Sequence, residues 1–408
     1  MPNPPRLLAR FLPDLDPRGP EAFLLVSAAA MPIALSTWQA LLNNYAVERA
    51  AFSGAEMGLL QSVREVPGLL ALTVVFLLAF VREQTLLLAC LLLLGLGTAL
   101  TGVHPSLAWI YATTVLMSVG FHYQETLQQS LTLQWIGKAH ASRAMGWQLA
   151  ARAVAGIAAF AGIWLMLEGL GLDYAWIYAV GGGLTMVAGV IAWRLFPRFP
   201  DVQVQSRKLV LRSRYWLFYA LTFMGGARRQ ILIAFAGFMM VERFGYSASQ
   251  MTLLFVANQV VSMIFAPRIG ALIGRWGERR ALTLEYAGLV GVFAGYAFVE
   301  SAPVAVALYL VDHLLFALAI AIRSYFQKIA DPADIASSSG LSFTINHIAA
   351  VIVPGAFGLI WLVNPAAVFL AGAGMAAVSL GLARLVPGAP EPGRETVLSR
   401  PPPAPAAG

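Results

Sequence analysis

The chain predicts an all-α integral membrane fold, with twelve transmembrane helices arranged as two pseudo-symmetric six-helix bundles. Three observations carry this. Hydrophobic residues make up 59% of the 408 and charged residues 12%, against roughly 45–50% and 25% for soluble domains, so water is not the main solvent. Residues 47–66 read VERAAFSGAEMGLLQSVREV and residues 241–260 read VERFGYSASQMTLLFVANQV, an ungapped internal repeat. Lys and Arg are one-sided: with the N-terminus inside, 21 fall in inner segments and two, Arg49 and Arg243, in outer loops. By the positive-inside rule both termini are expected in the cytoplasm.

Identities within the repeat include Glu48/Glu242, Arg49/Arg243, Ser53/Ser247, Met57/Met251 and Leu60/Leu254. At the same offset Gly146 falls on Gly340, and Gln148 and Arg152 fall on Ser342 and Asn346. Parallel repeats of this length place a ligand site where the two halves meet.

Each element then follows from apolar stretches of about 20 residues between polar breaks. Residues 1–20 are proline-rich with mixed charge and read as a cytoplasmic lead. Residues 21–195 form the first bundle, with spans at 22–44, 56–81, 85–103, 106–130, 145–168 and 173–195. The stretch 196–214, FPRFPDVQVQSRKLVLRSR, opens with prolines and turns basic, as expected of a cytoplasmic connector. Residues 215–386 form the second bundle, with spans at 215–241, 247–268, 281–299, 303–325, 340–363 and 365–386. The tail 387–408 is rich in Pro, Ala and Gly and is expected to be disordered. Glycines inside the spans, such as Gly95, Gly97, Gly181 to Gly183, Gly225 and Gly226, fit either close helix packing or bending. Gly225-Gly226 has the best claim to bending, because two charged residues follow.

The net charge of +7 is accounted for by the inner segments, which points to lipid phosphates rather than nucleic acid. The single cysteine, Cys90, excludes an internal disulfide. The first apolar segment is too long for a signal-peptide core and is expected to stay as the first span. Three Lys against 24 Arg point to a GC-rich bacterial source. No phosphate-cradling loop, metal-binding Cys/His spacing or nucleophile elbow is present in the sequence, so neither cofactor nor metal is expected.

Chemistry concentrates in charges within the spans. Arg64, Arg152, Arg228, Arg229, Glu65, Glu125 and Asp312 lie away from span ends. At roughly 2.5–3.5 kcal/mol each on insertion scales, seven such groups facing lipid would cost on the order of 20 kcal/mol. They are therefore expected to face the interior, paired or solvated. Arg228 and Arg229 fall near the level of Asp312, an expected ion pair. His122, Glu125 and Gln129 are spaced i, i+3, i+7 on one stripe, and Gln148 and Arg152 are spaced i, i+4, which makes Glu125–Arg152 a second expected pair. Arg64 and Glu65 correspond in the repeat to Asn258 and Gln259. Every pair can be read as a buried structural contact that fixes helix register, or as part of a solute path. His313 beside Asp312 and His347 beside Asn346 are candidates for proton transfer.

The segment RIGALIGRWGERRAL, residues 268–282, resembles the loop signature G-x-L-x-D-R-x-G-R-R of the major facilitator superfamily (MFS). Gly270, Leu272, Arg275 and Gly277 match, and Arg279 and Arg280 stand for its closing arginines. Two departures are present: the signature acid is Gly274, and the first-half loop is reduced to Val81-Arg82-Glu83-Gln84. The resemblance implies a twelve-helix transporter with these loop residues forming an inner gate. It also implies that spans one, four, seven and ten line a central cavity. Spans two, five, eight and eleven, which carry Gln148, Arg152 and Asn346, would flank it; Arg228, Arg229, Arg152, Gln148, Gln129 and Asn346 are the expected substrate-binding residues, and Glu125, Asp312, His122, His313, Arg64 and Glu65 are expected to serve proton coupling or charge pairing.

The function so implied is secondary transport of a small organic solute, with an anionic group favoured because three arginines suit carboxylate or phosphate, and with H+ as the expected coupling ion. The protein would act as a monomer in the cell inner membrane. An exporter of amphipathic or cationic compounds is the alternative, favoured by ten tryptophans. A membrane-embedded enzyme would have to rest on His122 and Glu125.

Overall fold

Pro20 in the first turn and Ala51 in the left-handed conformation (φ 53°) bound the first helix, α1, Pro20–Ala50. The computed structural model describes residues 16–136, 138–200, 212–331 and 335–399. Most of the lead (1–15), the middle of the connector (201–211) and the tail end (400–408) lie outside the described residues.

After α1 come α2, Gly54–Leu69, trailed by the short turns Ala71–Thr73 and Val74–Leu77; α3, Glu83–Thr101; α4, Leu107–Trp135; α5, Lys138–Trp164, running into a π turn at Leu165–Gly169; and α6, Tyr174–Leu195. Then follow α7, Trp216–Ile231, carried through a π turn at Leu232–Ala236 into Gly237–Glu242; α8, Ala248–Trp276; α9, Glu278–Phe298; α10, Ala302–Ala317 and Ile320–Ile329; α11, Ile335–Val363; and α12, Pro365–Arg384. No strand occurs among the described residues.

Nine helices among the described residues are long and apolar enough to cross a membrane. The expected spans at 56–81, 106–130 and 215–241 are helical but fall short of that measure. The first and third are interrupted after Leu69 and Ile231, and α4 carries His122, Gln124, Glu125, Gln128 and Gln129 along its length.

The repeat has a local cause. Ser53 and Glu56 bond reciprocally, Ser53 N–H to Glu56 Oε2 at 2.7 Å and Glu56 N–H to Ser53 Oγ at 3.4 Å. Ser247 and Gln250 do the same at 2.9 and 3.2 Å. Each is a capping box that satisfies donors at the start of a helix, and this explains why those positions match in the two halves.

The chain falls into two units. One comprises Met1–Ala51, Val63–Gln205 and Ser247–Val256; the other comprises Phe52–Ser62, Ser206–Tyr246 and Ala257–Gly408. The units therefore depart from the sequence halves at two places, and the places correspond by the repeat.

In the first unit α1 packs on α5 and α6, and α3 on α4 and α6. In the second unit α7 packs on α11 and α12, and α9 on α10 and α12, the same pairings one repeat later. Small residues set these spacings: a side chain on Gly95 or Gly182 would collide with the other's carbonyl oxygen, so α3 and α6 approach backbone to backbone. Gly226, for which the sequence fits either packing or bending, is a packing position, where a Cβ would overlap Asn346 Oδ1.

The tail expected to be disordered takes a defined path as far as Ser399. Tyr325 OH donates to Glu395 O at 2.5 Å, and Val397 N–H donates to Leu385 O at 2.9 Å. Glu395 and Thr396 are buried. Composition misled because this segment is held by backbone hydrogen bonds to helix ends, which need no apolar core.

Candidate functional site

In the first unit, α4 and α5 meet at a charged pair. Arg152 Nη1 donates to Glu125 Oε1 at 2.6 Å, and the side chains remain 23% and 35% exposed. This is the expected pair, and it is partly exposed. Gln129, one turn along α4, is exposed.

Gln148 is placed differently from expectation. Its Nε2 donates to Thr132 Oγ1 at 3.0 Å and its Oε1 accepts from Gln128 Nε2 at 2.9 Å. Gln128 also accepts from Ser27 Oγ at 2.6 Å. Ser27, Gln128, Thr132 and Gln148 are all buried, so this network knits α1, α4 and α5 and engages both ends of the Gln148 amide. The signal missed in sequence was Gln128, which sits one helical turn from both Gln124 and Thr132.

The stripe of α4 also splits. His122 turns toward Glu65, Nε2 to Oε2 3.9 Å, while Glu65 pairs with Arg64. The Arg64 guanidinium lies 5.8 Å from the Trp38 ring centroid, and Ser118 Oγ donates to the Arg64 carbonyl. All three titratable groups are buried, a geometry that suits register between α2 and α4.

In the second unit the expected Arg228–Asp312 pair does not form. Arg228 is fully buried, its Nη2 3.9 Å from Glu285 Oε1 on α9 and its guanidinium 4.2 Å from the Tyr286 ring centroid. Nε donates to Met224 O at 3.0 Å. Successive helical residues point about 100° apart, so Arg229 faces another direction and is exposed.

Asp312 is buried on α10 and is held by His313 and by Tyr296 OH at 3.3 Å. The His313 side chain is 34% exposed. Asn346 is half-buried against Gly226, and His347 is buried with Nδ1 2.9 Å from Phe343 O.

The signature loop joins α8 to α9. Gly277 adopts φ 81°, ψ 161°, a region open essentially to glycine alone. Gly270 lies within α8, Arg275 and Arg280 are exposed and Arg279 is half-buried. Between Gly277 and the arginines that stand for the signature's closing pair lies Glu278, which is buried, 2.7 Å from Lys328 Nζ and accepting from Ser324 Oγ at 2.6 Å. An acid absent at Gly274 is thus supplied four residues on. In the first unit Gln134 Nε2 donates to Glu83 Oε2 at 2.8 Å and to Ser130 Oγ at 2.9 Å. Ser130/Ser324 and Gln134/Lys328 are repeat partners, so both units tie the start of one helix to the end of the next in the same way.

The sequence profile of the Major Facilitator Superfamily matches residues 22–354, most of the chain, and the chain belongs to that superfamily. It is a multi-pass membrane transporter rather than an enzyme. Comparison with curated proteins returns no match.

Among solved structures, a mutant form of the nucleoside transporter NupG is 16% identical, covers 90% of this chain and 99% of its own, and aligns with a TM-score of 0.74. A bacterial homolog to the human lysosomal transporter Spinster, inward-facing and occupied, is 13% identical over 89% and 95%, with a TM-score of 0.72. An auto-inhibited POT family peptide transporter is 14% identical over 89% and 95%, with a TM-score of 0.67. At these identities the likeness concerns the fold.

Proposed function

We propose that the protein is a secondary active transporter of a small organic solute bearing an anionic group, driven by H+ and working by alternating access. The carrying observation is Arg152–Glu125, a 2.6 Å pair on adjacent helices that remains partly exposed. A guanidinium there can exchange its carboxylate partner, held through one Nη1–Oε1 bond, for that of a solute, which it can meet in a bidentate geometry. Protonation of Glu125 would release Arg152 for the solute, which couples the two ligands through one residue. Within the second unit, Arg229 is exposed and Asn346 half-buried, and the partly exposed His313 beside buried Asp312 is a second route for a proton. Gly270, Arg275, Gly277, Arg279 and Arg280 belong to a gating loop at the arginine-rich end. The one-sided basic residues support a cell inner membrane with both termini cytoplasmic, and the protein acts as a monomer.

The test is uptake into liposomes holding the purified protein, with an imposed pH gradient and labelled mono- and dicarboxylates, phosphorylated metabolites, neutral sugars and tetraphenylphosphonium. Gradient-dependent uptake of an anion, abolished by an uncoupler and by Arg152→Ala, supports the reading. Gradient-driven movement of tetraphenylphosphonium alone, unaltered by Arg152→Ala, replaces it with export of hydrophobic cations.

A further inference from the structure

A cavity of about 390 Å3 opens in the first unit where the start of α3 meets the end of α6. Leu88 and Phe196 give it an apolar wall, and Arg194 and Arg198 give it two cations. Both arginines are exposed. The Arg194 guanidinium lies 5.5 Å from the Trp193 ring centroid, and among the described residues neither arginine is joined to a carboxylate.

The far wall is not helical, yet it is fixed. Gln84 Nε2 donates to Pro197 O and Gln84 Oε1 accepts from Phe199 N–H, both at 3.0 Å. Arg82 Nη2 donates to Phe199 O at 3.1 Å and Trp135 Nε1 to Pro200 O at 3.2 Å. Phe196 and Phe199 also pack edge-on against Phe23, at 5.5 and 6.1 Å between centroids. Two cations are thus presented on a rigid frame, so little ordering is needed for a ligand to bind.

We infer that this cavity seats the phosphodiester headgroup of an anionic phospholipid from the leaflet that meets the arginine-rich helix ends. The ligand must carry a negative charge to answer Arg194 and Arg198, which suit phosphate oxygens in a forked geometry. It must also be amphipathic, because Leu88 and Phe196 lie beside the charges. Trp193, 58% exposed, is the kind of side chain that settles at the membrane interface. Basic pockets between helix ends are where acidic headgroups bind. The assignment is independent of the solute and of its coupling ion.

The test uses the full-length protein, delipidated in a neutral detergent and titrated with phosphatidylglycerol, phosphatidylcholine or inorganic phosphate. Bound lipid is counted by native mass spectrometry and stability is followed by thermal shift. Wild type is expected to prefer phosphatidylglycerol by roughly tenfold or more. Arg194→Gln/Arg198→Gln is expected to lose that preference, Arg194→Lys/Arg198→Lys to keep most of it, and Arg384→Gln, at a different helix end, to leave it unchanged. Should the double glutamine variant fail to fold, Thr85→Trp fills the cavity without removing a charge and is expected to give the same loss. An unchanged preference in the glutamine or tryptophan variant overturns the assignment. So does stabilisation by inorganic phosphate equal to that by phosphatidylglycerol, which would make the cavity a free-anion site.

Discussion

Arg228 on α7 and Glu285 on α9 face each other inside the second unit, Nη2 to Oε1 3.9 Å, with neither side chain exposed. Neither the guanidinium Nη atoms nor the carboxylate oxygens have a hydrogen-bond partner among the described residues; besides Glu285 the guanidinium meets the Tyr286 ring face and, through Nε, the Met224 carbonyl. Removing one partner leaves an uncompensated buried charge, which costs about 3–5 kcal/mol, whereas removing both is often neutral. Glu285→Ala and Arg228→Ala are therefore expected to unfold at clearly lower temperature in detergent, and Arg228→Met/Glu285→Leu to recover most of the loss. Equal melting of all three variants and wild type would return Arg228 to the solute path.

Arg152→Ala is expected to have the opposite profile. Its pair with Glu125 is partly exposed, so its loss costs no more than about 1 kcal/mol of stability. Transport should nevertheless fall at least tenfold, because the removed group is the one that meets the solute. Normal uptake by a well-folded Arg152→Ala protein would remove the pair from the site.

Gly277→Ala places a Cβ where φ is 81°, a strain of about 1–3 kcal/mol. The expected result is a lower melting temperature together with slower transport, since the strain falls on the loop carrying the Glu278–Lys328 pair. Lys328→Met should slow transport as well, and a variant of either kind with unchanged kinetics would exclude the loop from gating.

Truncation after Val386 removes the contacts of Glu395 and Val397 with Tyr325 and Leu385. The truncated protein is expected to melt lower than wild type, and Tyr325→Phe in the full chain should reproduce about 1 kcal/mol of that loss. Identical melting would mean that the segment contributes nothing to the folded state.

The helices were legible because apolar length and the repeat act over many residues, and errors at single positions cancel. Charge partners were less so. Glu125–Arg152 was readable because depth and helical spacing both placed the two groups together. The pairing of Asp312 with Arg228 or Arg229 rests on depth alone, although adjacent arginines on a helix cannot share a direction. That angular argument, applied to Arg228 and Arg229, would have sent one of them into the bundle and made Glu285 its natural partner. Glu285 lies near an end of its expected span, which hides it as a partner, and Gln148 reads as a ligand as long as Gln128 and Thr132 are not weighed as its partners. The tail was unreadable from composition, since backbone hydrogen bonds leave no mark on hydropathy.

The central claim, an accessible arginine site for an anionic solute, is tested most directly by thermal-shift screening of the purified protein against carboxylates, phosphorylated metabolites, neutral sugars and tetraphenylphosphonium. The screen is run at two pH values on wild type and Arg152→Ala. A ligand that binds the folded state raises its melting temperature. The account predicts an anion that stabilises wild type and not Arg152→Ala. Stabilisation by tetraphenylphosphonium alone, equal in both proteins, would contradict it.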